Sequence, residues 1–385
     1  VKRRVLPLLF FVVVLAISLP RMKALPEASF AIPATIPAAT STLQSTAEKP
    51  AAEATALAQP TSQLLPRAGS SAHAVTLTQL ENGKLMAAWF AGSREGAADV
   101  AIVGAIFDKG VWSSPQTITD RRTVQRDTRR LIRKLGNPVL WRAPDNVLHL
   151  WFVSVSYGGW AGSAVNHMQS SDAGRHWSPA TRIVTSPFWN ISTLVRNPPL
   201  ALKDGGIVLP AYHEFLAKRP EWLRLDNHYQ LIDKARIPYS TRTLQPATVA
   251  LDEHLALALM RDSGPLHRIH AARSNDAGGH WLPAIPSEIA NPDAAIALVR
   301  LADGSLLLAC NPLEANRNQI ALLRSLDEGR HWSAPRLIEQ GEVNDEFSYP
   351  ALLQDRTGNV HLAYTWKRQT IRHVTLSPTE IEAIR

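Results

Sequence analysis

The chain has 385 residues, 45 % of them hydrophobic and 19 % charged, and 41 Lys and Arg against 33 Asp and Glu give a formal charge of +8. That length and apolar content suit one large packed domain, and a single cysteine, Cys310, excludes an internal disulfide. With no phosphate-binding loop, HExxH, paired CxxC, GxSxG or nucleic-acid module, neither nucleotide chemistry nor nucleic-acid binding is expected, and no metal or cofactor is implied.

At the amino terminus Lys2, Arg3 and Arg4 precede the apolar stretch Val5–Leu19. Residues 1–24 therefore read as a secretory signal or a membrane anchor, although fifteen apolar residues are few for a full span. Either reading makes the protein exported: periplasmic, tethered to a membrane, or secreted. Residues 25–66 are dominated by Ala, Pro, Thr and Ser with little to bury, which predicts a disordered linker. The folded domain is expected over residues 67–385.

Within that domain a strand–turn–strand phrase returns six times: Ala74–Phe90, Pro138–Phe152, Pro198–Tyr212, Pro246–Met260, Ala294–Ala309 and Pro350–Thr365. Measured at Lys84, Asn146, Gly206, His254, Ser305 and Asn359, the steps are 62, 60, 48, 51 and 54 residues. A period near fifty built of short strands is that of a β-propeller blade, and six copies predict an all-β, six-bladed ring. A second repeat, Ser-x-Asp-x-Gly-x-x-Trp, occurs at Ser170–Trp177, Ser274–Trp281 and Ser325–Trp332, with a worn copy at Asp108-x-Gly110-x-Trp112. Asp accepts backbone N–H groups, Gly supplies positive φ, and Trp fills the gap between strands. A calcium loop would need more carboxylates and a closing Glu. The three tryptophans are expected to be largely buried. Between the first two blades, Arg121, Arg122, Arg126, Arg129, Arg130, Arg133 and Lys134 crowd together, and five of the arginines fit one helical face. Such a face suits anionic polysaccharide or lipid head groups.

Blade strands alternate in direction, so the start of each inner strand and each second-to-third-strand loop share one end of the ring. The residues before the inner strands are His73, Asn137, Asn197, Gln245, Asp293 and Tyr349. All six are polar or hydroxyl-bearing, which predicts either a wet pocket or a ring of hydrogen bonds. Arg94, Glu95, Glu214, Arg261, Asn311 and Arg368 end second strands near the same mouth, and Asp99 and Arg317 open third strands. Arginines beside a few carboxylates suit recognition of an anionic substrate.

Through its box repeats, over residues 73–376, the chain resembles the sialidase superfamily. The resemblance implies Arg261 and Arg317 as a clamp on a substrate carboxylate, Tyr349 as nucleophile and Asp99 as acid/base. His73 stands where the family has its first Arg, and Gln245 where it has the Glu that takes the Tyr proton; Gln is no general base. Glu214, Glu346 and Asp293 are candidate replacements. The function expected is that of a glycosidase on an acidic sugar, sialic or uronic, with Asp99, Tyr349 and Glu214 catalytic. Arg261, Arg317, Arg94, His73, Gln245, Asp293 and Arg368 would bind the substrate. The alternative is a tethered propeller that binds such a glycan without cutting it.

Overall fold

The structure, a computed structural model, describes residues 27–32, 60–186, 190 and 192–385. The expected signal or anchor lies outside them, as does most of the expected linker. Strands Ser71–Gln79, Lys134–Arg142, Leu200–Ala201, Thr243–Ala250, Ala297–Arg300 and Phe347–Gln354 are the inner strands of six antiparallel sheets. Each pairs outward with a second strand: Leu85–Gly92, Leu148–Val155, Ile207–His213, Ala256–Asp262, Leu306–Cys310 and Val360–Trp366. The ring has the six blades that the repeat implies.

Blades stack face to face, so their middle strands are apolar on both sides rather than alternating. Leu85 to Ala91 is buried throughout, and Ala87, Ala88 and Ala91 let neighbouring sheets approach closely near the axis. At the end of the ring remote from the inner-strand starts, a cavity of 520 Å³ is lined from all six blades, including Leu77, Leu140, Pro198, Val249, Leu298 and Leu352.

The ring is closed by strand Thr61–Leu64, which pairs antiparallel with Thr370–Leu376 as the outermost strand of the last blade. Such a lock between first and last repeats stops the ring from opening. Upstream, Phe30 donates its N–H to the Glu253 carbonyl at 2.8 Å and Ala31 to Ala201 at 2.9 Å, and the Phe30 side chain is wholly buried against Leu202, Trp222 and Ala258. The linker expected over 25–66 is therefore corrected at both ends: residues 27–32 and 60–66 are part of the propeller. Isolated apolar side chains, such as Phe30 and Leu65, had a surface to bury against that composition did not reveal.

The box repeats form the turns between third and fourth strands. In the first, Asp172 accepts from Ser170 Oγ (2.8 Å), His176 N (2.9 Å) and His176 Nδ1 (2.6 Å), and Trp177 Nε1 donates to the Gly174 carbonyl at 3.1 Å. The same pattern recurs at Asp276 and Asp327. Trp281 is buried, but Trp177 and Trp332 are only partly so. Their rings lie at the edge of their blades, whereas Trp281 is backed by Trp222, centroids 4.7 Å apart.

The basic stretch is only partly helical. Asp120 caps the helix Arg121–Thr128 through Thr123 N at 2.7 Å, and Arg129 ends it in the left-handed region at φ 53°. Arg129, Arg130 and Arg133 thus follow the helix as an irregular return to the next blade, and the single five-arginine face does not form.

Candidate active site

Inner strands enter the mouth through a repeated irregularity. In blades one, two, four and six the pairing register shifts by an extra residue, between His73/Thr76, Gly136/Val139, Leu244/Ala247 and Ser348/Ala351. The first extra residue is left-handed each time: Ala74 (φ 57°), Asn137 (45°), Gln245 (52°) and Tyr349 (53°), with Asp293 (55°) alike in blade five. A bulge of this kind re-aims a side chain at a cost in backbone strain. It also corrects the alignment of blade one. Ala74, not His73, occupies the repeat position of Tyr349, and His73 stands one residue earlier, in step with Arg196 of blade three.

The structure brings most of the predicted residues together. Arg261 is buried; its Nε donates to Asp293 Oδ1 at 2.5 Å and its Nη1 to Gln245 Oε1 at 3.1 Å and Tyr349 OH at 3.4 Å. Burial disfavours its charge, yet Tyr349 and Asp293 hold it more firmly protonated than usual. Gln245 Nε2 in turn donates to Tyr212 OH at 3.2 Å, which also accepts from Asn137 Nδ2 at 2.9 Å. Asn197 Nδ2 donates to the carbonyls of Gln245 and Pro246. The floor of the mouth is thus a hydrogen-bonded ring, the second of the two arrangements the polar residues allowed.

Arg317 donates to the Asp293 carbonyl at 2.5 Å and meets Glu346 Oε1 at 3.5 Å. Arg368 bridges Glu346 (2.6 Å) and Glu95 (2.7 Å). Burial would raise the Glu346 carboxyl, but hydrogen bonds from Arg368 and Ser348 bring it down to about 2. Three predicted arginines are therefore already paired across blades.

Tyr349 carries the contacts that point to chemistry. Its ring lies 4.2 Å from that of His73, centroid to centroid, and 5.3 Å from the Arg196 guanidinium carbon. His73 is held neutral by burial, its pKa down to about 3, and its Nδ1 is buried without a partner. Arg196 was not found in the sequence, because the positions read were those directly before each inner strand. It is 2 % exposed, donates to the Pro350 carbonyl at 2.7 Å, and forms no ion pair among those of the described residues. Burial pulls its pKa down to about 10, although Tyr349 and Tyr212 oppose this.

The two predicted acid/base carboxyls differ. Asp99 is exposed on the blade-one loop and accepts from both N and Oγ of Ser93 at 2.9 Å. These bonds lower its pKa, which opposes the protonated resting state of a general acid. Glu214 is half-buried, and desolvation raises its pKa against the influence of Lys218, Arg261 and Lys134. It is the carboxyl tuned toward donation. Arg94 is exposed beside Asp99, its carbonyl accepting from Ala97 N at 3.1 Å, and joins no part of the Tyr349 cluster. Among the described residues no group of three His, Cys, Asp or Glu side chains is placed to hold a metal ion.

A family model described as a BNR repeat-like domain matches residues 83–362. No curated protein matches the sequence. Among solved structures, a Hadza microbial sialidase aligns at TM-score 0.67 and 16 % identity over 82 % of this chain and 66 % of its own length. The NanB sialidase of Streptococcus pneumoniae aligns at 0.68 and 11 % identity over 83 % and 71 %. An α-L-arabinanase of Penicillium chrysogenum aligns at 0.62 and 13 % over 84 % and 99 %. At these identities the structural likeness establishes the fold alone, and the chain spans just under two thirds of the first sialidase.

Proposed function

The chain belongs to the BNR repeat-like domain family, and from that premise we propose that it is a sialidase-like glycosidase acting on an acidic sugar, a sialic or uronic residue of a glycan. The observation that carries this reading is Tyr349, held by a strained bulge with its hydroxyl on Arg261 and its ring between His73 and Arg196. In the proposed step the Tyr349 oxygen bonds to the anomeric carbon as the glycosidic C–O bond breaks, and Glu214 donates its proton to the departing oxygen. A neutral nucleophile avoids repulsion with the acid group of the sugar. Gln245 cannot take the phenolic proton; in this scheme it passes to Asp293, whose carboxylate shares the Arg261 guanidinium with Tyr349, and water then displaces the Tyr349 oxygen to release the sugar. Arg196, which has no carboxylate partner, and Arg261 would bind the acid group of the sugar. Export, read from the amino-terminal segment, belongs to the same proposal.

The test is hydrolysis of a panel of chromogenic sialosides and uronides by the full chain, beside Tyr349→Phe. Activity on an acidic glycoside that the variant loses supports the proposal; a panel with no turnover refutes it. A second reading, binding without cleavage, draws on Gln245 in place of an acid and on the pairing of Arg261, Arg317 and Arg368 with protein carboxylates. Saturable binding of the same sugars with no turnover would favour it.

A further inference from the structure

Outside the mouth, one cluster has more positive charge than its surroundings neutralise. Where the irregular return after the basic helix meets the second blade, a crevice is lined by Thr128, Arg130, Ser154, Ser156, Asn166 and Arg182. Arg130 and Arg182 lie close enough that the first depresses the protonation of the second, burial being the larger cause. Neither forms an ion pair among those of the described residues; Arg182 is held only through Nη2 to the Asn190 carbonyl. Two guanidiniums side by side repel each other, and a shared anion removes the repulsion.

The wall of the crevice supplies a second, independent observation. Asn166 is wholly buried, and its Nδ2 makes two long contacts of 3.4 Å to the carbonyls of Phe152 and Ala164. Its Oδ1 has no partner, and neither does Arg182 Nε. An orphaned acceptor beside an orphaned donor does not match a bare inorganic anion, which only accepts. It matches a hydroxyl, which donates to Oδ1 and accepts from Nε, while an acid on the same unit would meet the two guanidiniums. The enclosed space, 10 Å³, holds about one water-sized group, so one oxygen enters and exposed Arg130 covers the remainder. Tyr157, next to Ser156, is 64 % exposed and offers an apolar face for a sugar ring.

The crevice opens on the same end of the ring as the mouth. Arg133 N bonds to the Val155 carbonyl where the second strand ends, and Asn137 on the mouth floor lies four residues further on. Four residues of strand span at most about 13 Å. Between them Lys134 lies over the Trp160 ring at 4.0 Å, within the fields of Glu95 and Glu214.

We propose that Arg130, Arg182 and Asn166 form a remote subsite for an acidic, hydroxyl-bearing sugar unit of a polyanionic glycan whose end lies in the mouth. This rests on the acidic-sugar reading above for the mouth, but binding at the subsite does not require cleavage. The test is affinity of the full chain for a long oligouronate, for monomeric galacturonate and for inorganic sulfate, by calorimetry over a series of salt concentrations. Arg130→Ala and, separately, Arg182→Gln should each weaken the oligouronate about tenfold and flatten its salt dependence, with monomer binding unchanged. Arg122→Ala, on the helix and away from the crevice, should change nothing. Equal losses from Arg122→Ala and Arg130→Ala would make the charge diffuse and overturn the subsite, as would no loss from Arg130→Ala. Loss of anionic-vesicle binding in Arg130→Ala with oligouronate binding intact would assign the patch to lipid and also overturn it. If no acidic glycoside is hydrolysed yet oligouronate binding depends on Arg130, the proposed activity fails and the subsite stands.

Discussion

Acidification should unfold this propeller steeply, because it buries histidine pairs in neutral form. His149 Nδ1 lies 2.9 Å from His167 Nε2 with the rings stacked at 6°, and His361 Nδ1 lies 3.0 Å from His373 Nε2 in the last blade. Both pairs join second to third strands at matching places in their blades, among Trp151 and Tyr229 in one and Trp112 and Phe107 in the other. Burial drives His149 down to about 4 and His167 and His373 to about 3. The unfolded chain takes up these protons near pH 6.5, and the folded chain refuses them until pH 3 to 4. The stability they contribute is therefore complete above pH 6.5 and lost as pH falls below it. With His73, also down to about 3, four such groups give a slope of about 5 kcal/mol per pH unit between roughly pH 6 and 4.5. Carboxylates with lowered pKa values, such as Glu346, add their own loss only below about pH 4.5. Against a typical stability of about 5–15 kcal/mol, the transition should fall near pH 5. Urea denaturation at half-unit steps measures the slope, and His373→Phe should reduce it by about 1.4 kcal/mol per unit. A flat profile between pH 6 and 5, or an unchanged slope in His373→Phe, would refute the reasoning.

Three further outcomes are expected. Arg261→Ala strands the Asp293 carboxylate and removes a donor from Tyr349; with Asp293 partly exposed the cost should be about 2–3 kcal/mol, and acidic-sugar binding should fall in a direct titration. Glu214→Gln keeps shape but removes the proton, so turnover of a sugar with a poor leaving group should drop far more than that of an activated aryl glycoside; equal losses would place the acid elsewhere. Phe30→Ala empties a wholly buried site between blades three and four and should cost about 3–5 kcal/mol in chemical denaturation; a change below 1 kcal/mol would mean that the segment is not a working part of the ring.

Blade number, strand limits and box turns were legible because each is written several times, and an error in one copy is corrected by the others. Features that occur once were not. Phe30 and Thr61–Leu64 sit in sequence that reads as linker, and their partners lie more than 150 residues away, so no local pattern marks them. Arg196 was missed for a different reason: it stands one residue before the compared position, in step with His73, Gly136, Leu244 and Ser348, none of them an arginine, so comparison among copies gave no signal. Asp99 shows the limit of resemblance, since the loop is where it should be but the carboxylate is bonded to Ser93. The raised pKa at Glu214 comes from burial, set against opposing charges from other blades, and no single segment encodes that burial.

The bulge that opens the inner strands explains why this mouth holds so much charge without falling apart. An inner strand in regular register would send alternate side chains into the faces of neighbouring blades, where an arginine or carboxylate has no partner. Placing one residue in the left-handed region turns its own side chain toward the axis, at a strain of roughly 1–3 kcal/mol for each non-glycine residue. Asn137, Gln245, Asp293 and Tyr349 recover part of that strain as hydrogen bonds to residues of other blades. Ala74 recovers none through its side chain, and its place at the axis is taken by His73 from the preceding position. Blade one therefore contributes a neutral ring where the other blades contribute a hydrogen-bonding side chain, and on the same Tyr349 ring Arg196 forms no ion pair among those of the described residues. A guanidinium without a carboxylate and a neutral imidazole thus share one register position in two blades, and together they set the charge that the proposed sugar would supply.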